Sequence, residues 1–338
     1  MRFAFTSDQL EFRDAVKALL AAECSPVVVR ASWDSPTGCN PSLWAKLGEM
    51  GVLGMLVPEA HGGLGMSLTD MVCIVEEAGF AGLPDPLVSH ALVALPLLAA
   101  IEPGGQLLAD GVAGRNVVIP AGFDGSGYIE HADHCAAVVA SLGDGIHLIG
   151  HPIGTPRKLE TVDASVRLFV SADLASLSSI GARVRGSDAT SLAAAAFNRG
   201  ALGTAAFLVG AARRCLALTV EYISQRQQFG VPVGSFQGLK HQMATALMHL
   251  EFSRPAVYRA AESITTGAPT VDRDVSMAKA MASDAARLVA RTSMQAHGAI
   301  GYTVEYDLHL WFKRIFALAP AWHDSAWHAN RVGMALGI

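Results

Sequence analysis

Tyr222-Ile223-Ser224-Gln225-Arg226-Gln227-Gln228-Phe229-Gly230-Val231-Pro232-Val233-Gly234-Ser235-Phe236-Gln237-Gly238-Leu239-Lys240-His241 closes one long segment of helical period, Ala193 to Gln227, and opens another, Phe236 to Thr266. Downstream the same period returns from Ser276 to Ala296 and, more briefly, from Leu308 to Phe316. Upstream the texture changes. From about Leu107 to Leu177 the apolar residues come in short pieces, Val117-Val118-Ile119, Ala136 to Ala140, Ile146 to Ile149 and Val166 to Val170, separated by Gly and Asp turns. That pattern predicts β-structure. Nearer the N-terminus, Thr6 with Gln9 forms a capping-box pattern ahead of Phe12, Val16, Leu19 and Leu20 at helical spacing. A Pro/Gly/Ser-rich patch from Ser32 to Pro41 interrupts it, Leu43, Trp44, Leu47 and Met50 restart it, and helix is expected again over Leu68 to Phe80 and Pro86 to Ala100. The chain therefore reads as mainly α with a small β domain: an N-terminal helical domain (1–106), a middle β domain (107–185) and a C-terminal helical bundle (186–338).

With 338 residues, 51% of them hydrophobic and only 16% charged, the chain can bury large cores. The 25 Lys and Arg against 30 Asp and Glu form no basic run, which argues against a nucleic-acid partner. The longest apolar stretch, Ala91 to Ile101, contains Pro96 and falls well short of the about 20 residues of a membrane span. Met1 to Leu10 lacks the pattern of a secretory leader, and Cys24, Cys39, Cys73, Cys135 and Cys215 are scattered and odd in number. A cytoplasmic protein with reduced thiols and no membrane association is expected.

Three blocks carry a family resemblance. Val57-Pro58-Glu59-Ala60-His61-Gly62-Gly63-Leu64-Gly65 followed by Glu76-Glu77-Ala78-Gly79 resembles the "VPEEyGGlG … EElG" signature of the acyl-CoA dehydrogenases. The opening stretch is similar to that family's "Y…R.QFG.PiG.FQ..kh". Ala278-Lys279-Ala280, with Gln295-Ala296-His297-Gly298-Ala299-Ile300-Gly301-Tyr302-Thr303-Val304-Glu305-Tyr306-Asp307-Leu308, is similar to "AK…Q.hGG.Gyt.ey". The blocks occur in the family's order and span nearly the whole chain. The resemblance implies two helical domains around a β domain, FAD as cofactor and an acyl-CoA as substrate. It further implies that Arg226 pairs with the flavin pyrophosphate, a task suited to a planar guanidinium. Phe229 and Gln237 fall in the same cofactor block, and Gln295, Gly298 and Ala299 match the loop whose backbone approaches the cofactor. Read without the blocks, Arg226 and Gln295 would be ordinary surface residues at helix ends.

Against the family pattern, the catalytic base is missing. The reaction needs a carboxylate to take the α-proton while hydride passes to flavin. Counting nine residues beyond Lys313, one family position for that Glu falls at Trp322; counting 29 back from Phe229, the other falls at Gly200. No acid occurs from Ala189 to Val220, and Asp324, two positions from Trp322, is the weak candidate left. The family's CoA-holding helix Arg falls at Ala201, with Arg199 two positions away, and the Asp of its "ADM" motif falls at Thr245. Its "TEPxxGSD" flavin segment has no counterpart in Val117 to Tyr128, where Pro120-Ala121-Gly122-Phe123-Asp124-Gly125 stands.

This combination resembles the short partner subunits of heteromeric α2β2 acyl-CoA dehydrogenases of actinobacterial steroid side-chain degradation, and implies a second, non-identical subunit of the family as partner. A self-sufficient enzyme using Asp324 and a flavin-free structural subunit are the alternatives. His131-Ala132-Asp133-His134-Cys135 supplies at most three metal ligands where zinc usually takes four, so no metal is expected. His297 reads as a loop residue, not a base.

Overall fold

The computed structural model describes residues 4–143, 145–171, 174, 177, 180 and 183–338. Helix α1 (Ser7–Glu23) begins where the sequence predicts: the Gln9 N–H donates to the Thr6 hydroxyl at 3.2 Å, and the Gln9 side chain accepts from the Thr6 N–H at 2.8 Å. Helix α2 (Pro26–Asp34) follows, then α3 (Pro41–Glu49), capped by Asn40 with Pro41 in its first turn. Helix α4 spans Leu68–Ala81. The next helical segment is a π-helical turn (Val88–Ala94) leading into α5 (Leu95–Ile101), a wider winding just ahead of Pro96, whose ring cannot be accommodated by a regular preceding turn. The chain from Leu107, expected to start the β region, is still helical through α6 (Gln106–Val112), and strands begin at Val118.

The sheet orders its strands β5-β6-β2-β1-β3-β4-β7. These are β1 (Val118–Ala121), β2 (Ile129–Glu130), β3 (Ala137–Leu142), β4 (Gly145–Gly150), β5 (Arg157–Lys158), β6 (Leu168–Val170) and β7 (Arg183–Val184). The expected pieces Val117–Ile119, Ala136–Ala140, Ile146–Ile149 and Val166–Val170 fall on β1, β3, β4 and β6. β1 runs parallel to β3, with Val118 opposite Ala137, and the other pairs are antiparallel. Ile119, Ile129, Val138, Ile149 and Phe169 form its apolar core. The fully buried His90 ties sheet to helix. The Val118 N–H donates to its Nδ1 at 3.0 Å, so the ring proton sits on Nε2 and reaches the Gly111 carbonyl at 3.1 Å. Burial lowers its pKa to about 4, keeping it neutral.

Helix α7 (Gly186–Gln225) is followed by a hairpin of β8 (Gln227–Gln228) and β9 (Val231–Pro232), then α8 (Gln237–Thr265), α9 (Val271–His297), α10 (Leu308–Leu318) and α11 (Ser325–Leu336). By length and hydropathy α7 could cross a bilayer, yet 83% of its apolar window is buried inside the protein, as in a core helix.

The chain forms two compact units, one of Met1–Val29, Val72–Leu83 and Thr204–Ile338, the other of Arg30–Met71 and Pro84–Gly203, which holds the sheet. In the first unit α4 and α7 approach backbone to backbone. A Cβ on Gly210 would lie 1.8 Å from the Glu76 carbonyl oxygen, and one on Gly79 would lie 2.1 Å from that of Phe207. Only glycine permits this spacing. Beside it the buried Glu76 carboxylate accepts from Arg213 (2.6 Å), Arg254 (3.0 Å) and the Tyr258 hydroxyl (2.5 Å), while Arg213 also reaches Glu77 (3.1 Å).

Candidate functional site

The hairpin after α7 is built locally. Arg226 N–H donates to the Tyr222 carbonyl and its own carbonyl accepts from Val233 N–H, both at 2.8 Å. Its backbone is thereby fixed while its guanidinium is exposed. Phe229 and Gly230, between the two strands, both have positive φ (53° and 79°), the two-residue turn that matches strand twist. Asn or Gly suits the first of these positions better than a bulky residue, so Phe229 carries about 1–2 kcal/mol of backbone strain. Its ring is nevertheless 93% exposed, touching only the rim of Phe236 at a centroid distance of 6.3 Å among the described aromatic contacts. Gln237 opens α8 with its side chain in solvent.

The end of α9 is brought to the same end of the helical bundle. His297 is buried, its Nδ1 bonds the Ser293 carbonyl at 2.8 Å, and its ring stacks on Tyr222 at 4.4 Å and leans on Tyr306 at 4.8 Å. Burial lowers the His297 pKa, so the imidazole is a neutral packing group between α7 and α9. Because α8 and α9 are consecutive and joined by a short turn, the start of α8 at Gln237 lies toward the end of α9. Gln295 and Ala299 are exposed, and Gly298 turns the chain with φ 64° and ψ −141°, a conformation costly for any residue with a Cβ. A Cβ there would meet nothing within 4 Å. Arg226, Phe229, Gln237, Gln295, Gly298 and Ala299 thus line one open end of one unit. Nothing in the described structure uses the side chains of Arg226, Gln237 or Gln295 as hydrogen-bonding or ion-pairing groups. They fit a phosphate- and amide-bearing cofactor such as FAD: an unpaired guanidinium, two free amides and an unobstructed glycine cradle.

Of the two positions where the family pattern leads one to expect the base, Gly200 is buried in the interior of α7. Trp322 is buried and, with His323, takes left-handed backbone angles (φ 57° and 70°). Asp324 is spent on structure: its Oδ1 accepts from the Trp327 N–H at 2.9 Å as the N-cap of α11. The turn just before it is held from below by Lys279, whose fully buried Nζ donates to the Ala319 carbonyl (2.9 Å), the His323 carbonyl (3.1 Å) and the Ser283 hydroxyl (3.0 Å). Burial lowers the Lys279 pKa to about 7, with Asp324 and Asp284 opposing. Lys279 stands in the quoted "AK" block, but nothing in the pattern marks it as the anchor of that turn. Ala201 is buried and Thr245 exposed, and Arg199 has a buried Nη1 without a partner and a pKa lowered by desolvation.

The family profile described as acyl-CoA dehydrogenase, N-terminal domain, matches residues 6–101, and the one described as acyl-CoA dehydrogenase, C-terminal domain, matches residues 190–321. The acyl-CoA dehydrogenase IpdE2 of Mycobacterium tuberculosis is 35% identical over 308 residues, covering 89% of this chain and 89% of that protein. The chain belongs to the acyl-CoA dehydrogenase family. As an acyl-CoA dehydrogenase relative it is aligned with a class of FAD-dependent oxidoreductases. Its fold is that of the ChsE4-ChsE5 complex from Mycobacterium tuberculosis, with a TM-score of 0.86 at 22% identity over 100% of this chain and 99% of the other. The Tcur3481-Tcur3483 steroid ACAD is similar as well, with a TM-score of 0.82 at 24% identity over 98% of both chains.

Proposed function

We propose that this acyl-CoA dehydrogenase chain is one subunit of a heteromeric, FAD-dependent enzyme that desaturates an acyl-CoA thioester at its α,β bond, with the carboxylate base supplied by a second, non-identical chain. The observation that carries the reading is the mismatch between what the chain offers and what it lacks. It offers Arg226, Gln237 and Gln295 with free side chains around Gly298. It lacks a carboxylate at Gly200 and Trp322, and it commits Asp324 to a helix cap. When bound, FAD supplies the hydride acceptor of the reaction. This chain's part is to hold the charged pyrophosphate through Arg226 and to let the Gly298–Ala299 backbone come close.

A partner is supported by exposed apolar side chains in the same unit. Phe229, Phe236, Met248, Phe252 and Tyr302 are all exposed in the same unit, with Met248 and Phe252 one turn apart on α8. Large exposed apolar side chains of this kind commonly mark an interaction surface. The ChsE4-ChsE5 and Tcur3481-Tcur3483 neighbours are two-component assemblies by name, and the second is a steroid ACAD. A bulky, steroid-like CoA ester is the substrate class we assign on that basis.

Co-expression with a homologue that retains the family Glu, followed by native mass measurement and flavin absorbance, tests the reading. An FAD-loaded hetero-oligomer active only as a pair is expected. Arg226→Ala in that pair should weaken FAD by about 10–150-fold, the loss of a charge-assisted bond of about 1.5–3 kcal/mol, with helicity unchanged. An active, FAD-loaded homo-oligomer of this chain alone would refute the subunit role, and a pair that carries no flavin at all would favour a purely structural one.

A further inference from the structure

The geometry points to a second site, unrelated to flavin: a transition-metal site of zinc type built from Cys39, His131 and His134. In sequence, only the local run His131 to Cys135 stands together, and it offers too few ligands for zinc. Folding changes the ligand set. Cys135 is taken into the sheet core, and Cys39, 92 positions from His131 in sequence, is brought in from the turn between α2 and α3. The three possible ligand atoms all lie within 4.8 Å of one another, and Cys39 Sγ is 3.8 Å from His131 Nδ1. A tetrahedral zinc with Zn–S of about 2.3 Å and Zn–N of about 2.0–2.1 Å sets its ligand atoms about 3.4–3.6 Å apart. Side-chain adjustments of an ångström or less close that gap.

The surroundings are those of ligands held in place. His134 Nδ1 lies 3.3 Å from Asp133 Oδ1, while its Nε2 is buried without a hydrogen-bond partner. A carboxylate behind one imidazole nitrogen with the other left to a metal is the usual outer-shell arrangement of zinc histidines. Arg167 pairs with the other oxygen of Asp133 and fixes that carboxylate. Its own stem is covered by Gly38, where a Cβ would lie 2.4 Å from Arg167 Cδ, so the loop carrying Cys39 is seated on it. His131 also bonds the Thr37 carbonyl through its ring, which leaves one ring nitrogen with a lone pair. It holds a left-handed backbone (φ 48°), an expensive conformation for this residue type that positions the ring over the turn whose N–H groups, of His134 and Cys135, bond its carbonyl. The Asp85 carboxylate bonds the Cys39 thiol and the Asn40 N–H, and so steadies the loop that carries Cys39. Thiolate with two imidazoles is a borderline-soft set that suits Zn²⁺. Binding replaces the S–H bond by an S–Zn bond and releases the thiol proton to solvent, with no change of oxidation state. The bound ion would clasp the loop at Cys39 to the turn at His131–His134.

The test uses the full-length chain, with its partner if the two co-purify, stripped by a chelator and titrated with Co²⁺ and then Zn²⁺. One Co²⁺ per chain with a thiolate-to-cobalt charge-transfer band, displaced by one equivalent of Zn²⁺, is expected. Cys39→Ser should abolish the band and His134→Ala should weaken binding at least 100-fold, while Asp133→Asn weakens it about 10–100-fold and Cys135→Ser leaves it intact. Should Cys39→Ser or His134→Ala fail to fold, wild-type protein decides: Zn²⁺ should protect Cys39 from alkylation, read by peptide mass. No thiolate band in wild type, a band that survives in folded Cys39→Ser, or equal Cys39 labelling with and without Zn²⁺ overturns the site.

Discussion

Replacing Lys279 by Met should remove the share of the pH-dependent stability that this amine contributes. The amine titrates near 10.5 when unfolded and near 7 in the fold, because burial penalises its charge. Across that window the unfolded chain binds more protons than the folded one. Stability from this group is therefore complete above pH 10.5 and is lost as pH falls toward 7, at up to about 1.4 kcal/mol per pH unit. From the two pKa values the charging penalty is about 4 kcal/mol at pH 7 and about 1 kcal/mol at pH 10. Met removes that penalty but also removes the bonds to the Ala319 and His323 carbonyls; Ala319 keeps only the Ser283 hydroxyl at 3.4 Å. Orphaning these groups costs about 2–4 kcal/mol in total. The two effects nearly cancel at pH 7, and the variant is the less stable protein at pH 10. Urea unfolding of both proteins at pH 7, 8, 9 and 10 gives the difference, in which all other titrations cancel. That difference should change by about 3–4 kcal/mol from pH 7 to pH 10; a change of less than about 1 kcal/mol would mean that Lys279 is not desolvated as described.

Asp324→Ala should cost about 1 kcal/mol of stability through loss of the α11 cap, whereas Asp324→Asn, which keeps an acceptor, should be nearly neutral and leave turnover of the assembled enzyme unchanged; a collapse of turnover in a stable Asp324→Asn would make this residue the base. Glu76→Gln leaves two guanidiniums without their shared carboxylate and should cost about 2–4 kcal/mol, at the low end of buried pairs because Arg213 retains Glu77 and Arg254 retains Glu251, both at 3.1 Å. A thermal midpoint within a degree of wild type would contradict that network. Gly210→Ala forces α4 and α7 apart by more than an ångström and should cost at least about 3 kcal/mol, seen as loss of soluble yield or a sharply lowered midpoint. An unchanged midpoint would show that the two backbones do not approach as closely as described.

What was legible in the sequence is what is local in it. Arg226, Phe229 and Gln237 sit on one hairpin, Gln295 and Gly298 on one helix end, and Thr6 with Gln9 caps α1 three residues apart, so their placement follows from neighbouring residues. Helix α2 leaves little trace in the sequence because Val27-Val28-Val29 behind Pro26 carries weak helix preference, and only Val29 and Ser32 of the helix are buried. Helix α6 reads as the start of the β region because Leu107-Leu108 between glycines is too short to show a period. Helix α11 mixes Trp, His, Asn and Gly with no sustained apolar face, and so the capping role of Asp324 is invisible until the turn before it is seen. Non-local meetings leave no trace in spacing. Glu76 finds Tyr258 across 182 positions and His131 finds Cys39 across 92, and neither pairing has a sequence signature.

The close contact of α4 with α7 sets a rule for how this chain can be cut or recombined. The segment Val72–Leu83 belongs to the same compact unit as Thr204–Ile338, although the N-terminal and C-terminal family profiles assign them to separate domains. A fragment carrying only the C-terminal helices would expose a trough shaped for the backbone of α4, with Arg213 stripped of both its carboxylates and Arg254 left with Glu251 alone. A chimera that borrows one half from a relative inherits a Gly79–Gly210 fit and a Glu76–Arg213–Arg254 charge match only if both halves come from the same parent. The unit of exchange in this protein is therefore a discontinuous one, and crossovers placed between residues 83 and 204 should yield folded hybrids only when the parents agree at those five positions.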